Sequence, residues 1–377
     1  MNLSGKDVTS PEPMSPVAIA TARLPGVDVA RALAVLGMVL VNYKLQMMAS
    51  PEDPDWLVWL SSLIDGRAAT LFVVLAGVGV SLRSRHARVQ RELLGFERVA
   101  LLKRAAFLFV AGLLNLHIWE WDILHFYGAY LALSAFLLNA QSWLLWLLAV
   151  SCVGINVGLL EYVDLSTDTS LWSLYGMMTE LLFEGLHPVF PWMAFLLMGM
   201  WMGRQDLGHS RPRLRILVTA LLVIVCCHVF TTLETDTLAL GGLNEWVMAW
   251  ESDHSWLSPT IVVLDDAAIA GAIICLCITL TQRRAERTWV RALVATGQLS
   301  FTLYLAHAVA ILIPLHHGLF EQSSLTLSIG YSLAFYTGAV MLSVWWRRRW
   351  PYGPLEGLIR QTTGRTSPAP WGGERLP

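Results

Sequence analysis

Residues 27–48 read VDVARALAVLGMVLVNYKLQMM, a stretch of 22 residues whose only charges are Asp28, Arg31 and Lys44, all toward its ends. As an α-helix, 22 residues reach about 33 Å, enough to cross roughly 30 Å of hydrocarbon. Similar apolar blocks follow at 66–82, 100–119, 123–140, 142–160, 188–203, 215–233, 259–281, 293–315 and 325–346. The 377-residue chain is 55% hydrophobic and only 14% charged, whereas soluble domains run near half apolar and about a quarter charged. Seventeen Trp suit two interfacial aromatic belts. These features exclude a water-soluble enzyme, a nucleic-acid binder and a disordered scaffold. The expected fold class is all-α, a polytopic integral membrane helical bundle of about ten transmembrane helices.

The charges set its orientation. Of the 26 Lys and Arg, 23 fall in the first tail, the segments between blocks two and three, six and seven, and eight and nine, and the last tail. The alternate loops carry acids instead, among them Asp53, Asp55, Asp164, Asp168, Glu245 and Glu251. The positive-inside rule then places both termini in the cytoplasm. Residues 1–22 and 361–377 read as flexible cytoplasmic tails around a transmembrane domain at 23–360. Two outer loops are long, 161–187 and 234–258. The first contains an apolar run, Leu171–Phe183, expected as an interfacial helix, and the second places Trp246, Trp250 and Trp256 among acids, a cap for a cavity opening. All five Cys lie in apolar blocks and read as small core residues. No internal repeat is visible.

Ionisable and polar groups inside spans are costly, so they mark candidate sites. Asp28 and Arg31 share a helix face, as an ion pair seating the helix or as a site for an anionic co-substrate. Asn42 either bonds a neighbouring helix or donates to a carbonyl oxygen that gains charge during reaction. Lys44 can snorkel to outer headgroups. Asp65 is placed to cap the second span. Arg67, at a helix start that favours anions, needs an acidic partner or an anionic ligand. Asp122 and His125 stand one turn apart, the arrangement by which a carboxylate orients an imidazole for general-base work; His117 beside Trp119 reads as a belt residue. Ser300, Tyr304 and His307 follow Gly297 on one stripe. Adjacent Asp265 and Asp266 must be paired or hydrated, with Arg67 and His307 as candidate partners. Gly199-x-x-x-Gly203 is a helix-packing motif. His316, His317 and Glu321 read as a solvated turn, and no metal is expected.

Arg23 to Val39 resembles the opening of bacterial YeiB-like membrane proteins, which are similar to the heparan-alpha-glucosaminide N-acetyltransferase family. Asp65-Gly66-Arg67 with Leu71-Phe72 and Leu75-Ala76-Gly77 looks like their second-span signature. Asp122 to Tyr127, Pro191-Trp192 to Gly203-Arg204, Gly297 to His307 and Gly353-Pro354-Leu355-Glu356 match later blocks. The resemblance implies a multi-helix acyltransferase-like bundle in the bacterial inner membrane. Acyl-CoA, acetyl-CoA above all, would bind from the cytoplasm, and the acyl group would pass to a hydroxyl or amine presented outside. It places Asn42 near the reaction centre. Relatives carry a catalytic His soon after that position, but residues 43–64 hold none. Either His125 or His307 supplies the base, or this branch runs another reaction.

The preferred reading is therefore a membrane acyltransferase. Asn42, Asp122, His125 and His307 are its candidate catalytic residues, and Asp28, Arg31, Asp65, Arg67, Tyr304, Asp265 and Asp266 its candidate binding residues. The alternatives are a transporter or flippase for a small anionic or glycan-like metabolite, and a non-catalytic partner in a biosynthetic complex. Expected partners are membrane lipids and a small-molecule or glycan acceptor, with no nucleic acid and a homodimer left open.

Overall fold

The computed structural model describes residues 24–47, 53–162, 172–239, 257–320 and 323–364. Among them every regular element is a helix. The helix α1 (Pro25–Gln46) begins with Pro at its first position, where a missing N–H costs nothing. After a short α2 (Asp55–Ser62) come α3 (Arg67–Arg83) and α4 (Arg85–Val89). An antiparallel pair follows, α5 (Leu94–Asn115) and α6 (Leu124–Phe136), and then α7 (Ser142–Tyr162). The short α8 (Leu174–Thr179) runs into a π-helical turn, Glu180–Glu184, ahead of α9 (Val189–Met202). The rest is α10 (Ser210–Ala239), α11 (Leu257–Thr281), α12 (Thr288–Gln298), α13 (Ser300–His316), α14 (Leu325–Arg349) and α15 (Pro354–Thr363).

The ten apolar blocks fall largely on these helices. Five stretches are long and apolar enough to cross a membrane alone: Pro25–Gln46, Asp55–Arg83, Ser210–Thr232, Pro259–Thr281 and Leu325–Arg349. Two bent pairs raise the number to seven if each is one span, Leu174–Glu184 with Val189–Met202 at 56° and Thr288–Gln298 with Ser300–His316 at 76°. The chain is a multi-pass membrane protein. At 13 residues, α6 reaches only about 20 Å. The ninth block is not one continuous helix but breaks at Leu299, so Gly297 does not share an unbroken stripe with Tyr304 and His307. Residues 240–256, with Trp246, Trp250 and Trp256, lie outside the described residues, as do 1–23, Glu321 and 365–377, but Gln361–Thr363, expected in the flexible tail, continue α15 as helix.

At the centre stands α1, packed against α3, α11, α12, α13 and α14. Its Ala30, Ala32, Ala34 and Gly37 let neighbours close in, and Tyr336 Oη of α14 donates to the Ala32 carbonyl at 3.0 Å. The α3–α9 crossing is tighter still. A Cβ on Gly199 would fall 2.0 Å from the Val74 carbonyl oxygen, so the Gly199-x-x-x-Gly203 motif packs as expected. Outward faces keep large apolar side chains exposed, as at Leu221, Leu222, Val225 and Val229 of α10, the surface that lipid covers.

The arginines of the basic loops do more than face water. Arg98 donates to the Ala135 carbonyl at 3.1 Å, Arg204 to those of Ala140 and Leu137, and Arg213 to that of Leu207 at 2.7 Å. These carbonyls lie at helix ends and connections that lack internal partners, and a cation there also meets the negative end of the helix dipole.

Candidate functional site

The site is built around the connection between α5 and α6. Asp122 precedes α6 and closes its open end, accepting from the backbone N–H of Leu124 at 2.8 Å and of His125 at 3.4 Å. The same oxygen, Oδ2, lies 3.3 Å from His125 Nδ1. Its other oxygen, Oδ1, accepts from Asn115 Nδ2 at 2.9 Å and from Tyr304 Oη at 3.1 Å. The Tyr304 hydroxyl in turn accepts from Ile123 N–H at 3.2 Å. Asp122, His125 and Tyr304 are all buried, and a buried carboxylate is tolerated only when its lone pairs are filled. Here five donors fill them.

Tyr304 carries the network onward. Its main-chain carbonyl faces His307 Nδ1, one turn along α13. A carbonyl only accepts, so Nδ1 bears the proton and Nε2 of the neutral ring presents a lone pair. That lone pair lies 2.8 Å from Asn42 Nδ2 of α1. Tyr43 Oη donates to the His307 carbonyl at 3.1 Å, and the Trp119 ring meets the His307 ring edge-on at 5.5 Å. One continuous chain therefore runs Asn42–His307–Tyr304–Asp122–His125, with its members drawn from α1, α13 and the start of α6. Among the described residues His125 Nε2 makes no hydrogen bond. The resulting pair is a buried imidazole oriented by a carboxylate at Nδ1 and left with an unbonded Nε2, the form a general base needs. All four candidate catalytic residues and Tyr304 meet here.

Close backbone approach holds the pair in place. A Cβ on Gly112 of α5 would sit 2.2 Å from His125 N and 2.8 Å from Asp122 Oδ2, so only glycine lets α5 lie against the start of α6.

The other candidate residues gather elsewhere. Arg67 pairs with Asp265 at 3.1 Å and Asp266 at 3.6 Å, and Thr70 Oγ1 donates to Asp266 at 3.5 Å. Arg67 thus has the acidic partners its helix-start position demanded. His307 does not join this group; its polar contacts are Asn42, Tyr304 and Tyr43. Asp65 does not cap α3, whose N-cap is Gly66. Asp65 instead takes Lys44 Nζ at 2.6 Å, so that lysine is paired across to a neighbouring element. Asp28 and Arg31 pair at 2.8 Å.

Arg31 also has company that sequence spacing could not show. Arg104 of α5 is exposed, yet it interacts electrostatically with Arg31 of α1, Arg83 of α3, Tyr127 of α6 and Glu356 of α15. Trp119 and Tyr43 were likewise missed, because a buried aromatic beside a polar centre looks in sequence like any core residue. Asn115 gave no signal either. Among the described residues no group of three or more His, Cys, Asp or Glu could hold a metal ion.

Residues 23–233 match the family model described as heparan-alpha-glucosaminide N-acetyltransferase, catalytic, and residues 202–366 match that of a protein family of unknown function, DUF418. No curated protein matches the chain.

Proposed function

From a chain that belongs to the heparan-alpha-glucosaminide N-acetyltransferase catalytic family, we propose an integral membrane acyltransferase of about ten spans, with both termini cytoplasmic, that moves an acyl group, in the first instance acetyl, from acyl-CoA to a hydroxyl or amine near the outer face. The observation that carries this reading is the buried chain from Asn42 through His307, Tyr304 and Asp122 to His125. Asp122 orients His125, whose Nε2 takes the proton from the acceptor as its oxygen or nitrogen attacks the acyl carbon. The carbon–sulfur bond then breaks, and the departing thiolate takes up a proton. Asn42 has two amide hydrogens. One bonds His307, and the other is free to meet the carbonyl oxygen as it gains charge. Arg31 and Arg104, at the end of the bundle toward the basic loops, suit the phosphates of CoA. Arg67, Asp265, Asp266 and Asp65 line the opposite end, where the acceptor would enter.

The test is label transfer. Purified protein in proteoliposomes with radiolabelled acetyl-CoA and candidate hydroxyl and amine acceptors should yield labelled product above the level of a His125→Ala/His307→Ala double variant. Equal background rates for the two proteins, together with acceptor accumulation inside vesicles lacking CoA, would replace the enzyme by a transporter.

A further inference from the structure

Trp119 stands in the α5–α6 connection, just ahead of Asp122. Its main-chain N–H donates to the Asn115 carbonyl at 2.7 Å, and the Asn115 side chain donates to Asp122 Oδ1 at 2.9 Å. One asparagine thus fixes both the carboxylate and the tryptophan. From there the indole reaches α13, where its ring meets the His307 ring edge-on at 5.5 Å. Trp119 is only 1% exposed, yet among the described residues its Nε1 has no hydrogen-bond partner. A buried indole N–H ordinarily finds an acceptor, because leaving it bare forfeits the bond it made with water.

The acceptors around His307 are already in use. Its Nε2 faces Asn42 Nδ2 at 2.8 Å, its carbonyl accepts from Tyr43 Oη at 3.1 Å, and the Tyr304 carbonyl faces its Nδ1. Two donors are therefore left over against one imidazole, the second amide hydrogen of Asn42 and the indole N–H of Trp119. Asn42 is half-buried, so this end of the hydrogen-bonded chain is not sealed. Donors fixed in a water-poor place, with no acceptor of their own, suit an oxygen that arrives with the substrate and gains negative charge.

We propose that the Trp119 indole N–H is a substrate-binding donor at the His307 end of the site, where it hydrogen-bonds the acyl carbonyl oxygen together with Asn42. The N–H bond stays intact throughout. Its hydrogen bond strengthens as the acyl carbon becomes tetrahedral and the oxygen gains charge. It relaxes when the carbon–sulfur bond breaks and the carbonyl re-forms. This rests on reading the buried chain as an acyl-transfer centre.

The experiment uses full-length protein in lipid nanodiscs, as wild type, Trp119→Phe and Trp121→Phe, the last a control at an exposed ring of the same connection. A fourth protein carries 3-benzothienylalanine in place of Trp119, which keeps the fused-ring shape and puts sulfur where the N–H stood. In spectra of 15N-tryptophan-labelled protein, the Trp119 indole resonance is identified by its loss in Trp119→Phe. It moves downfield with acetyl-CoA and stays in place with CoA, which lacks the acetyl carbonyl. In acetyl transfer, the benzothienyl protein loses about 100-fold in kcat/KM, while Trp121→Phe keeps the wild-type value. The ligand-free thermal midpoint of the benzothienyl protein does not fall, because the missing N–H had no partner to lose. A moved resonance with no acetyl transfer by any protein would keep the donor and discard the acyltransferase reading. A resonance that acetyl-CoA leaves in place, or that CoA moves equally, overturns the proposal. So does an active benzothienyl protein as fast as wild type, or one whose lost rate comes with a lowered midpoint.

Discussion

Tyr304 is the residue on which the site depends, since its hydroxyl reaches Asp122 while its carbonyl orients His307. Tyr304→Phe keeps the ring and the carbonyl but leaves the Ile123 N–H without its acceptor in a buried place, a cost of about 1–3 kcal/mol. A drop in the thermal midpoint of the detergent-solubilised protein, with a fall in transfer rate larger than the stability loss explains, is the expected outcome. Unchanged rate would show that the link between the two histidines has no role in chemistry. Asp122→Asn is predicted to be worse for activity than for folding. The amide still accepts at one oxygen, but it cannot stabilise an imidazolium at His125. Steady-state rates beside circular dichroism melts separate the two effects. Local spacing made Asp122 and His125 legible in sequence, because an acid just ahead of a helix start folds back onto the first-turn N–H groups and meets the side chain three residues on. The Asn42–His307 contact spans 265 positions, and no local rule reports it. Arg67 was a middle case. Its position announced the need for a partner, and Asp265 and Asp266 were the acids left over.

At the scale of elements, apolar length foretold where the helices lie but not where they bend. The break at Leu299 follows no proline, and Gly297-Gln298-Leu299-Ser300 reads as an ordinary helical run. What stabilises the break comes from far along the chain. Glu356 of α15 accepts from Phe301 N–H at 2.9 Å and Thr302 N–H at 3.0 Å, and from Thr302 Oγ1 at 2.6 Å, so it closes the new helix start. Glu356→Gln keeps the shape and removes the charge, and a loss of about 1–2 kcal/mol is expected in reversible unfolding. A loss below a few tenths would mean the break is held by packing alone. Gly112 makes a second prediction of this kind. In Gly112→Ala the new methyl group meets the His125 backbone, which cannot swing aside as a side chain can. A destabilisation of about 1–3 kcal/mol and a larger fractional loss of transfer are expected, because the clash falls on the site itself. The segment 174–187 shows the opposite limit of sequence reading. Its apolar side chains suggested a helix resting on the membrane surface. The exposed Trp172, Leu174, Tyr175 and Met178 are what such a helix would present, while the residues just after the π-turn pack on α6, Gly185 against Phe126 and the His187 carbonyl on Tyr130 Oη.

For the whole molecule, the sequence alternates basic and acidic loops, and the arginines among them also close helix ends. Removing one therefore acts on stability as well as on orientation. The proposed cytoplasmic C-terminus predicts that a fused fluorescent protein glows and a fused alkaline phosphatase stays inactive; the reverse would invert the bundle. The buried chain from Asn42 to His125 joins residues from three parts of that bundle into one centre, which is the central claim. Single-turnover acetyl transfer in proteoliposomes, measured for wild type, His125→Ala, His307→Ala and the double variant, tests it most directly. Groups that act as a unit lose rate non-additively, so the double variant should be scarcely slower than the worse single one. Losses that multiply, or single variants that match wild type, would contradict a single reaction centre at this site.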